Sequence, residues 1–259
     1  ENQVGEMMSL SSENQEQEVI VPIAVAPVNR NNKTILETTF PDCPLWQPHS
    51  VDPAVAERMA YDGCNGGYGC CYAAFYSIIG QMAEKHGAPY KDFPFHVMKA
   101  GRSGVGGWKS TCGALLGAAF AYGLFYEKKE HNELVRELFY WHDTTALPIY
   151  RPKTNCKLDV DLPTSISDSV LCITSKTCWA YSSGFPIKSK ESSERCARLT
   201  ADVARKAIEI LNAKIDGTFV PTADKNAGMK YEINASSVKD DPASVILVKQ
   251  PEFRPVKAS

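Results

Sequence analysis

Residues 69–87 read GCCYAAFYSIIGQMAEKHG, and this stretch predicts a buried helix. Its apolar side chains recur at i, i+3, i+4 and i+7, which is the spacing of one helix face: Phe75, Ile78, Ile79 and Met82. Gly87 stands where a helix end favours glycine. The stretch therefore predicts a helix over residues 69–86 that packs one face into a core.

Further helices are predicted on both sides of this stretch. Helical patterning begins at Asp52, and Ser110 or Thr111 can cap a helix that opens at Cys112 and is small on nearly every face. An amphipathic helix follows and ends near Pro148. Later in the chain, Ser167 and Asp168 can cap a short helix that contains Cys172, and residues 189–213 carry one apolar stripe: Cys196, Leu199, Val203, Ala207, Ile210 and Leu211. The tryptophans Trp108, Trp141 and Trp179 are expected in the core.

The two ends of the chain differ from this helical middle. Residues 1–18 hold five Glu and no Lys or Arg, and the apolar run at residues 19–28 is interrupted by Pro22 and Pro27, which favours an extended arm. Residues 243–248 form a second extended stretch. The predicted fold class is mainly α, a helical bundle with extended N- and C-terminal arms and a few short strands. Its parts are an acidic tail and arm (1–50), a cysteine-rich helical domain (51–216) and an extended C-terminal segment (217–259).

Composition and charge exclude several classes of protein. Apolar residues make up 44% and charged residues 22%, so the chain can bury a core. The net charge of −2 disfavours a nucleic-acid partner, and no stretch of about 18 apolar residues predicts a membrane span. Because the sequence starts at Glu1 and contains nine cysteines, we expect an exported protein that is periplasmic, at the cell surface or extracellular.

The cysteines carry the main chemical signal. The sequence has no CxxCH motif for covalent haem and no paired CxxC motifs for zinc. Four cysteines are predicted near helix N-termini, where free N–H groups and the helix dipole stabilise thiolates and anionic clusters: Cys70 or Cys71, Cys112, Cys172 and Cys196. A buried apolar thiol explains any one of these positions equally well. The pattern alone leaves an iron–sulfur site and structural thiols both open.

Four motifs together resemble a known family. They are CCYAAF from Cys70, TCGALLG from Thr111, VLC ending at Cys172, and ERCARLTADV from Glu194. With them, residues 52–213 resemble the C-GCAxxG-C-C redox-active family, and the linking stretches resemble its exported branch, the split-Soret cytochrome c group. This chain departs from that group because it lacks the CxxCH haem sites, so a covalent haem is not implied.

The resemblance implies a helical domain that binds an iron–sulfur cluster for electron transfer. Its ligands would be Cys70, Cys112, Cys172 and Cys196, with Cys71 as the alternative to Cys70. Four cysteines can hold either a [2Fe–2S] or a [4Fe–4S] cluster. Of the two, the [4Fe–4S] cluster is favoured. The other cysteines are open to disulfides, a second metal centre or free thiols: Cys43, Cys64, Cys71, Cys156 and Cys178.

The function expected from these observations is an exported iron–sulfur electron carrier rather than an enzyme. No Ser/His/Asp set, paired carboxylates or phosphate loop stands out. Two other functions remain open: a disulfide-stabilised structural or filament subunit without a cofactor, and a thiol-dependent redox enzyme. The expected partners are other redox proteins and further copies of the chain, which would associate through the N-terminal arm as a homo-oligomer, either a closed dimer or a filament.

Overall fold

The computed structural model describes residues 43–154, 156–225 and 227. The chain divides into two units, Glu1–Cys43 and Pro44–Ser259, and the fold described below is that of the second. The predicted acidic tail, the arm at residues 19–28 and the extended stretch at residues 243–248 lie outside the described residues. The division into residues 1–50, 51–216 and 217–259 stays a prediction.

The described part of the chain is helical, as the sequence predicts. Its α-helices are α1 (Pro53–Asn65), α2 (Cys70–His86), α3 (Gly113–Gly123), α4 (Lys128–Thr144), α5 (Cys172–Ser183) and α6 (Lys190–Ile215). Two 3-10 helices, Tyr90–Asp92 and Phe95–Gly101, lie between α2 and α3. Pairing between extended residues in this part is limited to two isolated antiparallel bridges. None of these helices is long and apolar enough to cross a membrane.

Helix α2 forms the centre of the bundle and packs against α1, α3 and α6. The apolar face predicted from its sequence is fully buried: Phe75, Ile78, Ile79 and Met82. Removing a large side chain from such a core costs about 2–5 kcal/mol. The α2 helix begins after Gly69 (φ 87°) and ends before Gly87 (φ 70°), and both glycines have the left-handed φ that other residues avoid.

Helix α3 packs closely on α2 because its residues are small. A Cβ on Gly117 would collide with the backbone carbonyl of Cys71, so only glycine allows this approach. The predicted cap was wrong: α3 is preceded by Cys112 as its N-cap, and Thr111 pairs with Leu171 instead. Thr111 is held by long-range pairing that sequence periodicity does not report.

Helix α5 also begins later than its predicted cap. The residue before it is Leu171, while Ser167 and Asp168 lie in the turn that precedes the bridge. The Ser167 hydroxyl donates to the Ser169 carbonyl over 2.9 Å, so it does not cap the helix. The consequence is that Cys172 is the first residue of α5.

Helix α6 crosses the bundle and contacts α1, α2, α3 and α4. The predicted stripe is confirmed from Leu199 to Leu211, whose apolar members are buried, while Cys196 is half-buried. The expectation for the tryptophans fails at Trp108, which is 88% exposed. It lies in the glycine-rich loop (residues 101–110), in which several residues have positive φ.

Candidate metal centre

Two predicted ligands are brought together by the short bridge between Thr111 and Leu171. Each bridging residue is followed directly by a cysteine at the start of a helix, Cys112 before α3 and Cys172 in α5. The backbone N–H of Cys112 donates to the Val170 carbonyl over 2.8 Å, and the pairing is antiparallel. Cys112 is opposite Val170 and Cys172 is opposite Ser110, so the two cysteines lie diagonally on either side of the bridge. They come near each other although 60 residues separate them along the sequence.

Cys70 lies at the centre of the thiol group. Burial raises the pKa of the Cys70 thiol, and the Cys196 thiol raises it further, while the backbone N–H of Ser103 lowers it. Burial also raises the pKa of Cys172 to about 11, with contributions from Cys196 and Cys70. The structure thus brings together all four predicted ligands, each close enough to affect the charge of others.

Cys64 also lies in this group, although its sequence position did not assign it to the site. Burial raises the pKa of its thiol, and Cys70 and Cys196 raise it further. The Thr200 hydroxyl donates to the Cys196 carbonyl over 2.7 Å and also lies 3.8 Å from the Cys64 Sγ. The signal in the sequence is the glycine-rich turn between Cys64 and Cys70, which lets the end of α1 meet the start of α2.

Cys71 has a different environment from Cys70. It is fully buried in the hydrophobic core, and a Cβ on Gly101 would collide with its Sγ. Burial raises the pKa of Cys71 to about 12, and Cys70 adds to the rise. Neighbouring residues on a helix point about 100° apart. The Cys70 thiol accordingly lies against Gly113, next to Cys112, whereas the Cys71 thiol points to Gly101.

Backbone groups around the site favour negative charge. Burial raises the pKa of the Cys112 thiol, and the N–H groups of Leu115 and Ala114 in the first turn of α3 oppose this rise. Ser103 has a left-handed φ of 54°, and its N–H acts on Cys70. Gly113 allows the close contact with Cys70, since a Cβ there would collide with the Cys70 Sγ. These features suit an anionic group of thiolates.

The donor set fits an iron–sulfur centre in its chemistry. Thiolates are the ligands of iron–sulfur clusters, and five thiols meet here at one end of the bundle. Among the described residues, no three His, Cys, Asp or Glu side chains are grouped so that they could hold a single metal ion. Burial and the neighbouring thiols raise the pKa values of these cysteines, so thiolates at these positions would need compensating positive charge, which bound iron would supply.

The remaining cysteines lie in other environments, and all nine are free thiols in the structure. Cys43 is exposed, and the Cys178 thiol lies 3.8 Å from the Ser167 carbonyl. Cys156 lies 3.7 Å from the Arg198 guanidinium, which forms a buried ion pair with Glu194. These contacts give the three cysteines surroundings that do not include the group around Cys70.

Comparison with known proteins identifies relatives of this chain. Residues 68–210 match the family described as "Putative redox-active protein (C_GCAxxG_C_C)", and the matched range contains Cys70, Cys112, Cys172 and Cys196. The chain is 49% identical over 173 residues to split-Soret cytochrome c of Desulfovibrio desulfuricans (strain ATCC 27774 / DSM 6949 / MB). That match covers 66% of this chain and 62% of the relative, so the chain spans less than two thirds of it.

A solved structure is similar as well. It is described as "A novel iron centre in the split-Soret cytochrome c from Desulfovibrio desulfuricans ATCC 27774". The two folds superpose with a TM-score of 0.67 at 48% sequence identity, over 69% of this chain and 76% of the other. The similar protein thus has an iron centre on a related helical fold.

Proposed function

The chain belongs to the C_GCAxxG_C_C redox-active family, and we propose that it is an iron–sulfur electron-transfer protein. The observation that carries this proposal is the meeting of Cys70, Cys112, Cys172 and Cys196, four cysteines from separate parts of the sequence. A related protein with an iron centre supports the same conclusion.

The proposed ligands of the cluster are Cys70, Cys112, Cys172 and Cys196. Cys70 is preferred to Cys71 because its thiol lies among the others, whereas Cys71 is in the apolar core. A [4Fe–4S] cluster is proposed over [2Fe–2S]. When bound, the cluster would accept and release single electrons at a potential set by its surroundings.

The protein's own groups would set those surroundings. The N–H groups of Ser103, Ala114 and Leu115 favour thiolate at Cys70 and Cys112. The ammonium groups of Lys109 and Lys176 lower the pKa of the Cys172 thiol against the effect of burial. Hydrogen bonds and positive charge near a cluster stabilise its reduced, more negative state. These groups would therefore raise the reduction potential.

Self-association and export belong to the same proposal. A second centre within electron-transfer distance would make a single small cluster more useful, and the apolar sequence of residues 19–28 suits β-strand addition to a partner. Light scattering on a chain that lacks residues 1–30 tests this assembly. If the truncated chain keeps the particle mass of the full chain, the arm does not drive association.

Analysis of iron and sulfide tests the main proposal. The purified protein is expected to contain iron and acid-labile sulfide, with absorption near ~400 nm. Electron paramagnetic resonance of the reduced protein would then distinguish [4Fe–4S] from [2Fe–2S]. A colourless, folded protein without iron after anaerobic reconstitution would contradict the proposal and favour a scaffold without a cofactor.

A further inference from the structure

Positive charge is concentrated in the two segments that meet at the cysteine group. Residues 93–126 and 169–190 contain no Asp or Glu, although the whole chain has 30 of them and a net charge of −2. The same segments carry six basic side chains: Lys99, Arg102, Lys109, Lys176, Lys188 and Lys190. The net charge of these two segments is therefore opposite in sign to that of the chain as a whole.

Exposed apolar side chains lie within this basic region. Trp108 is 88% exposed, and Val105 and Tyr68 are each nearly half exposed. The backbone N–H of Trp108 donates to the Val105 carbonyl over 3.0 Å. The Lys99 ammonium lies 5.1 Å from the centre of the Tyr68 ring. Exposed tryptophan that its own loop holds in place is typical of the anchors in protein interfaces.

Backbone hydrogen bonds order the glycine-rich loop that carries Trp108. Its residues hydrogen-bond across the loop, for example from Gly106 N–H to the Ala100 carbonyl over 2.8 Å and from Lys109 N–H to the Ser103 carbonyl over 3.0 Å. Val105 has φ 55°, which is costly for a β-branched residue. Strained backbone of this kind occurs at functional sites, where the surrounding structure holds it.

The loop is also joined directly to the cysteine group. Ser103, within the loop, acts on the Cys70 thiol, and the Ile173 N–H next to Cys172 donates to the Lys109 carbonyl over 3.1 Å. The side chain of Arg102 packs against Gly69, the residue before Cys70. A partner that contacted this loop would therefore stand beside the thiols.

We propose that this surface, the Trp108 loop with its surrounding lysines, is the docking site for an acidic redox protein. The inference rests on the proposed function and names the kind of partner that the site serves. The partner would place an apolar patch on Trp108 and carboxylates opposite Lys99, Lys109 and Lys176. Complementary charge would steer the encounter, and Trp108 would supply apolar contact at the centre.

A protein partner fits this surface better than a small anion. The basic side chains are spread over two segments, and Lys99 and Lys188 are exposed. A cleft of about 750 Å³ beside the end of α1 is lined by four lysines and one carboxylate. The lysines are Lys157, Lys176, Lys188 and Lys190, and the carboxylate of Glu194 is ion-paired with Arg198. Dispersed exposed ammonium groups bind a single small anion weakly, but they match a broad acidic surface.

The test uses an acidic ferredoxin as the probe, titrated calorimetrically into the full-length protein at low ionic strength. The variant Lys99→Gln/Lys109→Gln/Lys176→Gln is expected to bind about tenfold more weakly. Its matched control, Lys85→Gln/Lys128→Gln/Lys129→Gln, removes the same charge from the last turn of α2 and the first turn of α4, at the far ends of α2 and α3 from Cys70 and Cys112. The control is expected to change affinity by less than about twofold.

Trp108→Ser separates apolar contact from charge. It is expected to weaken binding at both low and high salt, whereas the effect of the lysine variant is expected to fade as salt screens the charges. A basic cytochrome c, titrated in place of the ferredoxin, is expected not to bind this surface.

Three outcomes would overturn the proposal. They are no binding of the ferredoxin by the wild-type protein, equal weakening by the lysine variant and its control, or a wild-type particle mass that falls to one chain in the lysine variant. The last would assign the surface to self-association. Iron and sulfide are measured on each sample, so a sample that binds the ferredoxin but holds no iron contradicts the proposed function alone.

Discussion

Thr111 and Leu171 face each other across an isolated antiparallel bridge, and the residue after each of them is a cysteine. The bridge is extended by hydrogen bonds from Cys112 N–H to the Val170 carbonyl and from Cys172 N–H to the Ser110 carbonyl, of 2.8 Å and 2.6 Å. One pair of extended residues thus aligns the starts of α3 and α5. An isolated bridge, rather than a β-sheet, thus brings two of the four motif cysteines near each other.

Cys112→Ser and Cys196→Ser are each expected to lower the iron and sulfide content sharply. A hydroxyl is a harder and less acidic donor than a thiol and holds iron of a cluster weakly. Iron per chain, measured after anaerobic reconstitution, gives the result. Loss of the centre is also expected to lower the melting temperature, because metal binding couples to folding.

Two other cysteines provide controls for that experiment. Cys43 is exposed, and Cys43→Ser is expected to leave the iron content unchanged. Cys64→Ser is expected to retain iron as well, because four thiolates complete a cluster. Full iron content in both the Cys112 and Cys196 variants, or its loss in the Cys64 variant, would show that the proposed ligand set is wrong.

Cys70→Ser and Cys71→Ser are expected to have opposite effects. The Cys70 variant loses iron, since this thiol lies among the others. The Cys71 variant keeps iron but loses about 1–3 kcal/mol of stability, because a hydroxyl replaces a thiol in an apolar core. Iron analysis and urea unfolding of both variants make the comparison. Loss of iron from the Cys71 variant alone would identify Cys71 as the ligand.

Gly113→Ala is expected to destabilise the protein by about 1–3 kcal/mol and to reduce iron binding. A methyl group at Gly113 would collide with the Cys70 Sγ and with the Gly101 carbonyl. Gly123→Ala, at the other end of α3, meets only the His131 ring at ordinary contact distance, so it provides the matched control. A higher helix propensity is expected to leave that control as stable as the wild type or more so. Equal melting temperatures of the two variants would disprove the close contact at Gly113.

Asp202 is expected to make stability depend on pH. Burial raises the pKa of its carboxyl from 3.8 to about 7, even though the N–H groups of Ile149 and Tyr150 donate to it over 2.8 Å. The pKa is higher in the folded protein than in the unfolded chain, so protonated Asp202 favours the folded state. Its contribution to the free energy of unfolding is complete below pH 3.8 and is lost as the pH rises towards about 7. Asp202→Asn, which stays neutral, is expected to remove this part of the dependence in thermal unfolding measured across that range. An unchanged pH profile in the variant would assign the dependence to other groups.

The sequence determined the helices because their periodicity is a local property. Residues 69–87 predict α2 to within one residue, and the stripe on α6 predicts the face that is buried. The four motif cysteines could also be selected from nine by their positions near helix starts and by resemblance to a family. The predicted caps were wrong for two different reasons: Thr111 pairs with the distant Leu171, whereas the Ser167 hydroxyl donates to the carbonyl of Ser169 within its own turn.

Only the tertiary structure decided which side chains meet and which face solvent. Cys70 and Cys71 are adjacent in sequence, but the Cys70 thiol lies against Gly113 at the start of α3, whereas the Cys71 thiol lies against Gly101 of the second 3-10 helix. Cys64 joins the thiol group because the glycine turn folds the end of α1 against α6. Trp108 is exposed although its residue type predicts burial, and it lies in a loop with left-handed backbone that no hydrophobicity pattern records. Local propensity specifies an element, but contacts between distant elements have no periodic signature in the sequence.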